Sequence, residues 1–216
     1  MNMEFLANAI NNANNKKSKL PKEILEIDGM TSFKIKHFLN NICDFEGCNF
    51  LEVGSYMGST FMSAIYNNSL KATSIDFWSN KKDFQNTRLT FKRNLKKTLK
   101  LQTKEVKQEI QIINKDCFYY DKKELKDVNV YFYDGPHDRE SQIKALTQYN
   151  DILANQFILI IDDWNSFDTK VGTFVAINRL RYNVIGHCEL MGLPENWKMD
   201  DDFYWNGLFI AFLAKK

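Results

Sequence analysis

The stretch Asn49-Phe50-Leu51-Glu52-Val53-Gly54-Ser55-Tyr56-Met57-Gly58-Ser59-Thr60 decides how this chain folds. Its first five residues are a short apolar run ending at Gly54, the pattern of a buried parallel strand closed by a turn. A helix is predicted from about Ser59 to Asn67, which makes the stretch a strand, a glycine turn and a helix. The glycines are spaced GxxxG rather than GxGxxG, and no GK[ST] follows, so nicotinamide dinucleotides and P-loop nucleotides are set aside. A glycine turn at a helix N-terminus still offers backbone amides to an anionic group. Glu52 would lie beside a cationic one. A ligand with both a carboxylate and a positive centre fits this pair of features.

Working outward, Thr31 or Ser32 caps a predicted helix whose apolar positions are Phe33, Ile35, Phe38, Leu39, Ile42 and Cys43. Residues 1–22, rich in Asn and Lys, are expected to be a loose tail or a short helix near Phe5 to Ile10. Downstream, strands are predicted at Ala72 to Asp76, Glu109 to Asn114, Val128 to Asp134 and Phe157 to Asp162. Helices are predicted at about Lys82 to Leu101, Glu140 to Leu153 and Lys170 to Tyr182. Two β-like runs, Asn183 to Leu190 and Gly207 to Ala214, close the pattern, the last one suited to antiparallel pairing. The expected architecture is α/β and Rossmann-like: a seven-stranded, mostly parallel sheet with helices on both faces and an antiparallel last strand. Residues 23–216 read as one domain.

Composition excludes several classes. With 216 residues, 44% hydrophobic and 26% charged, the chain is a globular protein rather than a disordered one. Twenty-nine Lys and Arg against 27 Asp and Glu leave a formal charge of +2, too small for a global field toward nucleic acid or membrane. No apolar run approaches the roughly 20 residues that cross a bilayer, and the N-terminus is unlike a secretory signal. A cytoplasmic protein is expected. Cys43, Cys48, Cys117 and Cys188 form no CxxC pair, so free thiols are expected rather than zinc or disulfides. The basic helix, with Lys81, Lys82, Arg88, Lys92, Arg93, Lys96, Lys97 and Lys100, carries Phe84, Leu89, Phe91, Leu95 and Leu99 as well. It reads as the solvated face of a packed helix, with nucleic acid not expected as a partner.

Ligands of such sheets bind outside the carboxyl ends of the strands, and there every early strand ends on an acid: Glu52, Asp76, Asp116, Asp134, then Asp162 with Asp163. Asp76 is placed to take two ribose hydroxyls, and Asp116 to accept from an adenine amino group. Asp134, Asp162 and Asp163 would bring three carboxylates together. Like charges so close repel unless a cation intervenes, which points to a hard divalent ion, Mg²⁺. His137, in the loop beside these acids, is the candidate general base. Trp164, Trp197, Tyr204 and Trp205 are candidate aromatic walls for an acceptor.

The motif from Leu51 to Thr60 resembles the first motif of class I S-adenosylmethionine-dependent methyltransferases. Its LExGxYxGxS/T form resembles the catechol and caffeoyl-CoA O-methyltransferase branch and the related bacterial family that includes macrolide sugar O-methyltransferases. The similarity runs from about Gly29 to the end of the chain. It implies that Glu52, Gly54, Ser55, Tyr56, Gly58, Ser59 and Thr60 surround the methionine moiety. It places Asp76 at the ribose, Phe77 against the adenine, Asp116 and Cys117 near the adenine edge, and Asp134 at the cofactor's reactive end. Met30, Thr31 and Ser32 would cover the cofactor. The metal-dependent branch holds its ion with acids at the positions of Asp134, Asp162 and Asp163, and carries a catalytic Lys where this chain has His137. The implied reaction is methylation of a hydroxyl on a small acceptor such as a sugar or catechol diol. A metal-independent enzyme using His137 and a non-catalytic binding protein are the alternatives, and a homodimer is left open.

Overall fold

The computed structural model describes residues 2–78, 86–192 and 203–216. The helices are α1 (Met3–Asn14), α2 (Lys22–Leu25), α3 (Phe33–Ile42), α4 (Ser59–Ile65), α5 (Thr87–Leu101), α6 (Arg139–Thr147) and α7 (Phe167–Arg179). The strands are β1 (Asn49–Val53), β2 (Leu70–Asp76), β3 (Gln108–Asn114), β4 (Val128–Tyr133), β5 (Leu153–Ile161), β6 (Asn183–Leu190) and β7 (Leu208–Ala214). They form one sheet in the order β3-β2-β1-β4-β5-β7-β6. Strands β1 to β5 pair in parallel, and β7 runs antiparallel to both β5 and β6. This is the expected seven-stranded sheet with its antiparallel last strand.

The twofold alternation of side chains in β1 sorts the two cores. Phe50 packs with Phe38, Phe61 and Phe91 beneath α3, α4 and α5. Leu51 and Val53 pack with Tyr131, Leu146 and Ala176 beneath α6 and α7. Glu52 shares the Phe50 face, so a carboxylate is fully buried under α4. Strand order reverses between β1 and β4, and the crevice opens there.

Several boundaries differ from expectation, two of them with a local cause. Strand β5 starts at Leu153 rather than Phe157, because a 3₁₀ turn at Asn150–Ile152 ends the preceding helical stretch. The N-terminal segment is a twelve-residue helix, not a loose tail. Asn2 caps it by accepting from the Phe5 amide at 2.9 Å, and Leu6, Ala9 and Ala13 are buried. Their spacing puts small side chains on one stripe that packs on α3, and Tyr204 Oη reaches Asn14 at 2.7 Å. No helix among the described residues is long and apolar enough to cross a membrane. The cysteines are free, Cys43 and Cys48 buried and the other two half-buried.

Candidate functional site

The turn after β1 is shaped by glycine chemistry. Gly54 has φ +91°, and a Cβ there would lie 1.9 Å from the Asp134 carbonyl oxygen. The left-handed conformation and this close approach together demand glycine. Gly58, at φ +86°, starts α4, and a Cβ would press on Met62 and Phe91 at 2.8 Å. The Tyr56 amide donates to Asp76 Oδ2 at 2.7 Å and the Trp78 amide to Asp76 Oδ1 at 2.6 Å. Trp78 Nε1 donates to the Tyr56 carbonyl at 2.7 Å, so the ends of β1 and β2 are tied together.

Behind the turn, Glu52 is completely buried. Thr60 Oγ1 donates to its Oε1 at 3.0 Å, while its Oε2 has no partner. Burial pushes its pKa up to about 8, against hydrogen bonds from Ser55 and Thr60, with the charges of Asp76 and Asp162 adding to the rise. Ser55 Oγ is 2.7 Å from Ser74 Oγ, and Ser59 Oγ donates to the Ile27 carbonyl at 2.9 Å. Ser32 caps α3, and the buried Thr31 hydroxyl lacks a partner. These residues brace the turn from behind. A cavity of about 550 Å³ opens in front of it, lined on one side by Met30, Gly54, Tyr56, Asp76, Phe77 and Trp78.

The opposite wall is Asp134, Pro136, His137, Asp162, Asp163, Trp205 and Asn206. Burial raises the Asp134 carboxyl well above the usual range, with the charges of Asp162 and Asp163 reinforcing it. Asp162 is pushed to about 8 by burial and then by Asp163. Asp163 behaves oppositely. Burial alone would raise it, but hydrogen bonds from His137 and Asn206 hold it below its ordinary value. His137 Nδ1 lies 2.7 Å from Asp163 Oδ2, and Asn206 Nδ2 donates to Asp163 Oδ1 at 2.6 Å. The Asp163 hydrogen bond in turn raises the imidazole pKa. Asp163 adopts the left-handed backbone, φ 52°.

The expectation for this wall is a three-carboxylate magnesium site. Both Asp163 oxygens are engaged, and Asp162 Oδ1 accepts from the Asp163 amide at 2.9 Å. Among the described residues no group of three or more His, Cys, Asp or Glu side chains is arranged to hold a metal ion.

The cofactor expectation fits better. The glycine cradle, the Asp76 carboxylate and the orphaned Glu52 oxygen lie in or directly behind one wall of the cavity. Asp116 and Cys117 do not line it. The Asp116 carboxylate accepts from the Phe118 amide at 2.8 Å, and the Cys117 carbonyl accepts from Tyr149 Oη at 2.9 Å. Of the expected aromatic walls among the described residues, Trp205 alone lines the cavity. Trp164, stacked on Phe209 at 4.4 Å, and Tyr204 are core residues, because the loop after β5 is zipped to the start of β7. Trp197 lies outside the described residues, as do Lys81, Lys82 and Phe84. Sequence reasoning missed Asn206 and Trp78. The pairing of β7 with β5 is the signal that would have brought Asn206 beside Asp163.

A larger cavity, about 1170 Å³, lies at the amino ends of β1 to β4, opposite the switch point, and none of these groups reaches it.

No family model and no curated protein matches the chain. Solved structures do. The SAH-bound methyltransferase PaMTH1 of Podospora anserina superposes with TM-score 0.59 and 12% identity over 97% of this chain and 95% of its own. SMU.776, a methyltransferase complexed with SAH, gives 0.56 and 14% over 84% of this chain. The small RNA methyltransferase HEN1 gives 0.54 and 15% over 85%. This chain spans 48% of SMU.776 and 25% of HEN1. The fold is therefore that of the class I S-adenosylmethionine-dependent methyltransferases.

Proposed function

We propose that this chain is an S-adenosylmethionine-dependent O-methyltransferase in which His137, held by Asp163, removes the acceptor proton. The observation that carries this reading is the 2.7 Å His137–Asp163 pair on the cavity wall facing the glycine turn and Asp76. S-adenosylmethionine supplies an electrophilic methyl group on a sulfonium. Gly54 and Tyr56 would cradle its amino-acid portion, Asp76 its ribose, and Phe77, which is exposed, its adenine. Because Nδ1 is engaged by Asp163, Nε2 is the nitrogen left for the acceptor hydroxyl. The pair fixes the ring and stabilises the imidazolium once the proton has moved. Around the cofactor, a cavity of about 550 Å³ leaves room for one ring-sized hydroxylated unit, a sugar or catechol.

Calorimetric titration of S-adenosylhomocysteine followed by methyl transfer to a panel of diols tests this. Micromolar affinity, about −8 kcal/mol, and transfer that survives EDTA but falls at least a hundredfold in His137→Ala are expected. Transfer lost in EDTA and restored by Mg²⁺ would return the carboxylates to the magnesium role. No cofactor binding would overturn the enzyme reading.

A further inference from the structure

Helix α5 carries Arg88, Lys92, Arg93, Lys96, Lys97 and Lys100 and no acid. Six of the chain's 29 Lys and Arg thus lie on one helix that holds none of its 27 Asp and Glu, so acids outnumber bases by four elsewhere. All six are exposed, and no carboxylate among the described residues is within ion-pair distance of any of them. The helix is a fixed platform. Phe91 and Thr98 are fully buried, Phe91 packs on Phe61 and Trp78, and Asn94 donates to the Met57 carbonyl at 2.8 Å. Its first residue, Thr87, lines the cavity, and the helix leads away from that mouth for about 22 Å.

We infer that the outer face of α5 docks a single strand of RNA and that the acceptor hydroxyl is a ribose 2′-hydroxyl of that strand. The inference rests on the O-methyltransferase reading. A stacked strand carries one phosphate per roughly 3.4 Å, about six along α5, which matches its six cations. An anionic membrane fits less well, since an interfacial helix inserts a continuous apolar face, whereas Phe91 of α5 is in the core and its exposed Leu89, Leu99 and Leu101 are dispersed around the helix among the cations. A hydroxyl acceptor on a regular polyanion singles out RNA, because the 2′-hydroxyl is what DNA lacks. In the reaction the 2′-oxygen forms a bond to the methyl carbon as the sulfonium S–C bond breaks. S-adenosylhomocysteine leaves as the thioether, and the hydroxyl proton passes to His137 Nε2 and on to solvent.

The test uses the whole protein, a labelled 20-nucleotide single-stranded RNA, and anisotropy between 50 and 200 mM KCl. With four to six phosphate contacts, affinity should fall about 50- to 340-fold over that range. The triple variant Lys92→Gln/Lys96→Gln/Lys100→Gln should bind RNA at least tenfold more weakly with a shallower salt slope, and keep its S-adenosylhomocysteine affinity, which also reports that it is folded. Radiolabelled methyl should appear in an alkali-stable dinucleotide. Salt-independent binding, an unchanged triple variant, label on a base, or binding to phosphatidylserine vesicles instead of RNA would each overturn the inference. RNA binding needs neither cofactor nor His137. Transfer to free diols without RNA binding therefore defeats this inference alone, whereas absent cofactor binding defeats the reading beneath it.

Discussion

Replacing Glu52 with Gln isolates the energetics of one buried carboxyl. In the folded protein its pKa rises from 4.5 to about 8. The fold therefore binds this proton more tightly than the unfolded chain does. The stability it carries is complete below about pH 4.5 and is lost as pH climbs, at about 1.4 kcal/mol per unit, until the folded group ionises near pH 8. At pH 7 the accumulated loss is about 3 kcal/mol, a large part of a typical domain's stability. Glutamine keeps an acceptor for Thr60 Oγ1 and cannot ionise. Urea unfolding of both proteins at pH 5, 6, 7 and 8 reads the difference directly. Asp134 and Asp162, raised in the same direction, titrate in both proteins, and the part of the Asp134 rise that comes from the Glu52 charge is absent from the variant. The gap should widen in favour of Glu52→Gln by about 1.4 kcal/mol per pH unit. Parallel stability curves would refute the reasoning, since they would mean that Glu52 is charged and solvated. A corollary concerns the cofactor. A cation arriving beside Glu52 should draw its proton off, so the heat of binding at pH 7 should depend on buffer ionisation enthalpy in the wild type and less so in the variant.

Asp163→Asn replaces the carboxylate that raises the His137 pKa with a neutral amide. The rising limb of kcat against pH, where the base loses its proton, should move to lower pH while the maximal rate drops, and an unmoved limb would sink the pair. Gly54→Ala forces a Cβ to 1.9 Å from the Asp134 carbonyl at φ +91°. It should abolish S-adenosylhomocysteine binding by calorimetry and lower the melting temperature, since the left-handed backbone alone costs about 1–2 kcal/mol. Asn40 Nδ2 bonds the Ser63 and Tyr66 carbonyls at 2.8 and 2.9 Å. Asn40→Ala should cost about 2–4 kcal/mol in urea melts through the unsatisfied groups it leaves. Tyr204→Phe deletes the bond to Asn14; about 1 kcal/mol should be lost, together with hydrogen-exchange protection in α1.

The sheet and the glycine turn were legible because their signals are local. Phe50, Leu51 and Val53 form a strand and Gly54 ends it, whichever helix packs above. The acids at the strand ends were likewise readable by position, and Asp76, Asp134, Asp162 and Asp163 do line one cavity. Their roles were not readable. Whether Asp163 joins a cation cage or holds His137 depends on a left-handed backbone at Asp163 and on Asn206, 43 residues away. Asp116 has the right place in sequence, yet its carboxylate caps the adjacent Phe118 amide, a local competition that periodicity does not reveal. The burial of Trp164 follows from β7 entering the sheet beside β5, a long-range pairing. The Asn-rich N-terminus hid its apolar stripe because two of its three buried members are alanines.

The position of β7 also bears on how the chain is made. Strands β5 and β6 are synthesised before the strand that joins them. Until Leu208 to Ala214 emerge, β5 presents an unpaired edge of consecutive apolar residues, Phe157 to Ile161, a template for pairing with other chains. On the ribosome, the half of the sheet holding β1 to β4 can assemble from parallel neighbours. The half bearing Asp163 and Asn206 must wait for a strand to insert between two existing ones. The His137–Asp163 pair would thus be among the last features to form, and substitutions that slow β7 insertion should appear as lost yield of protein.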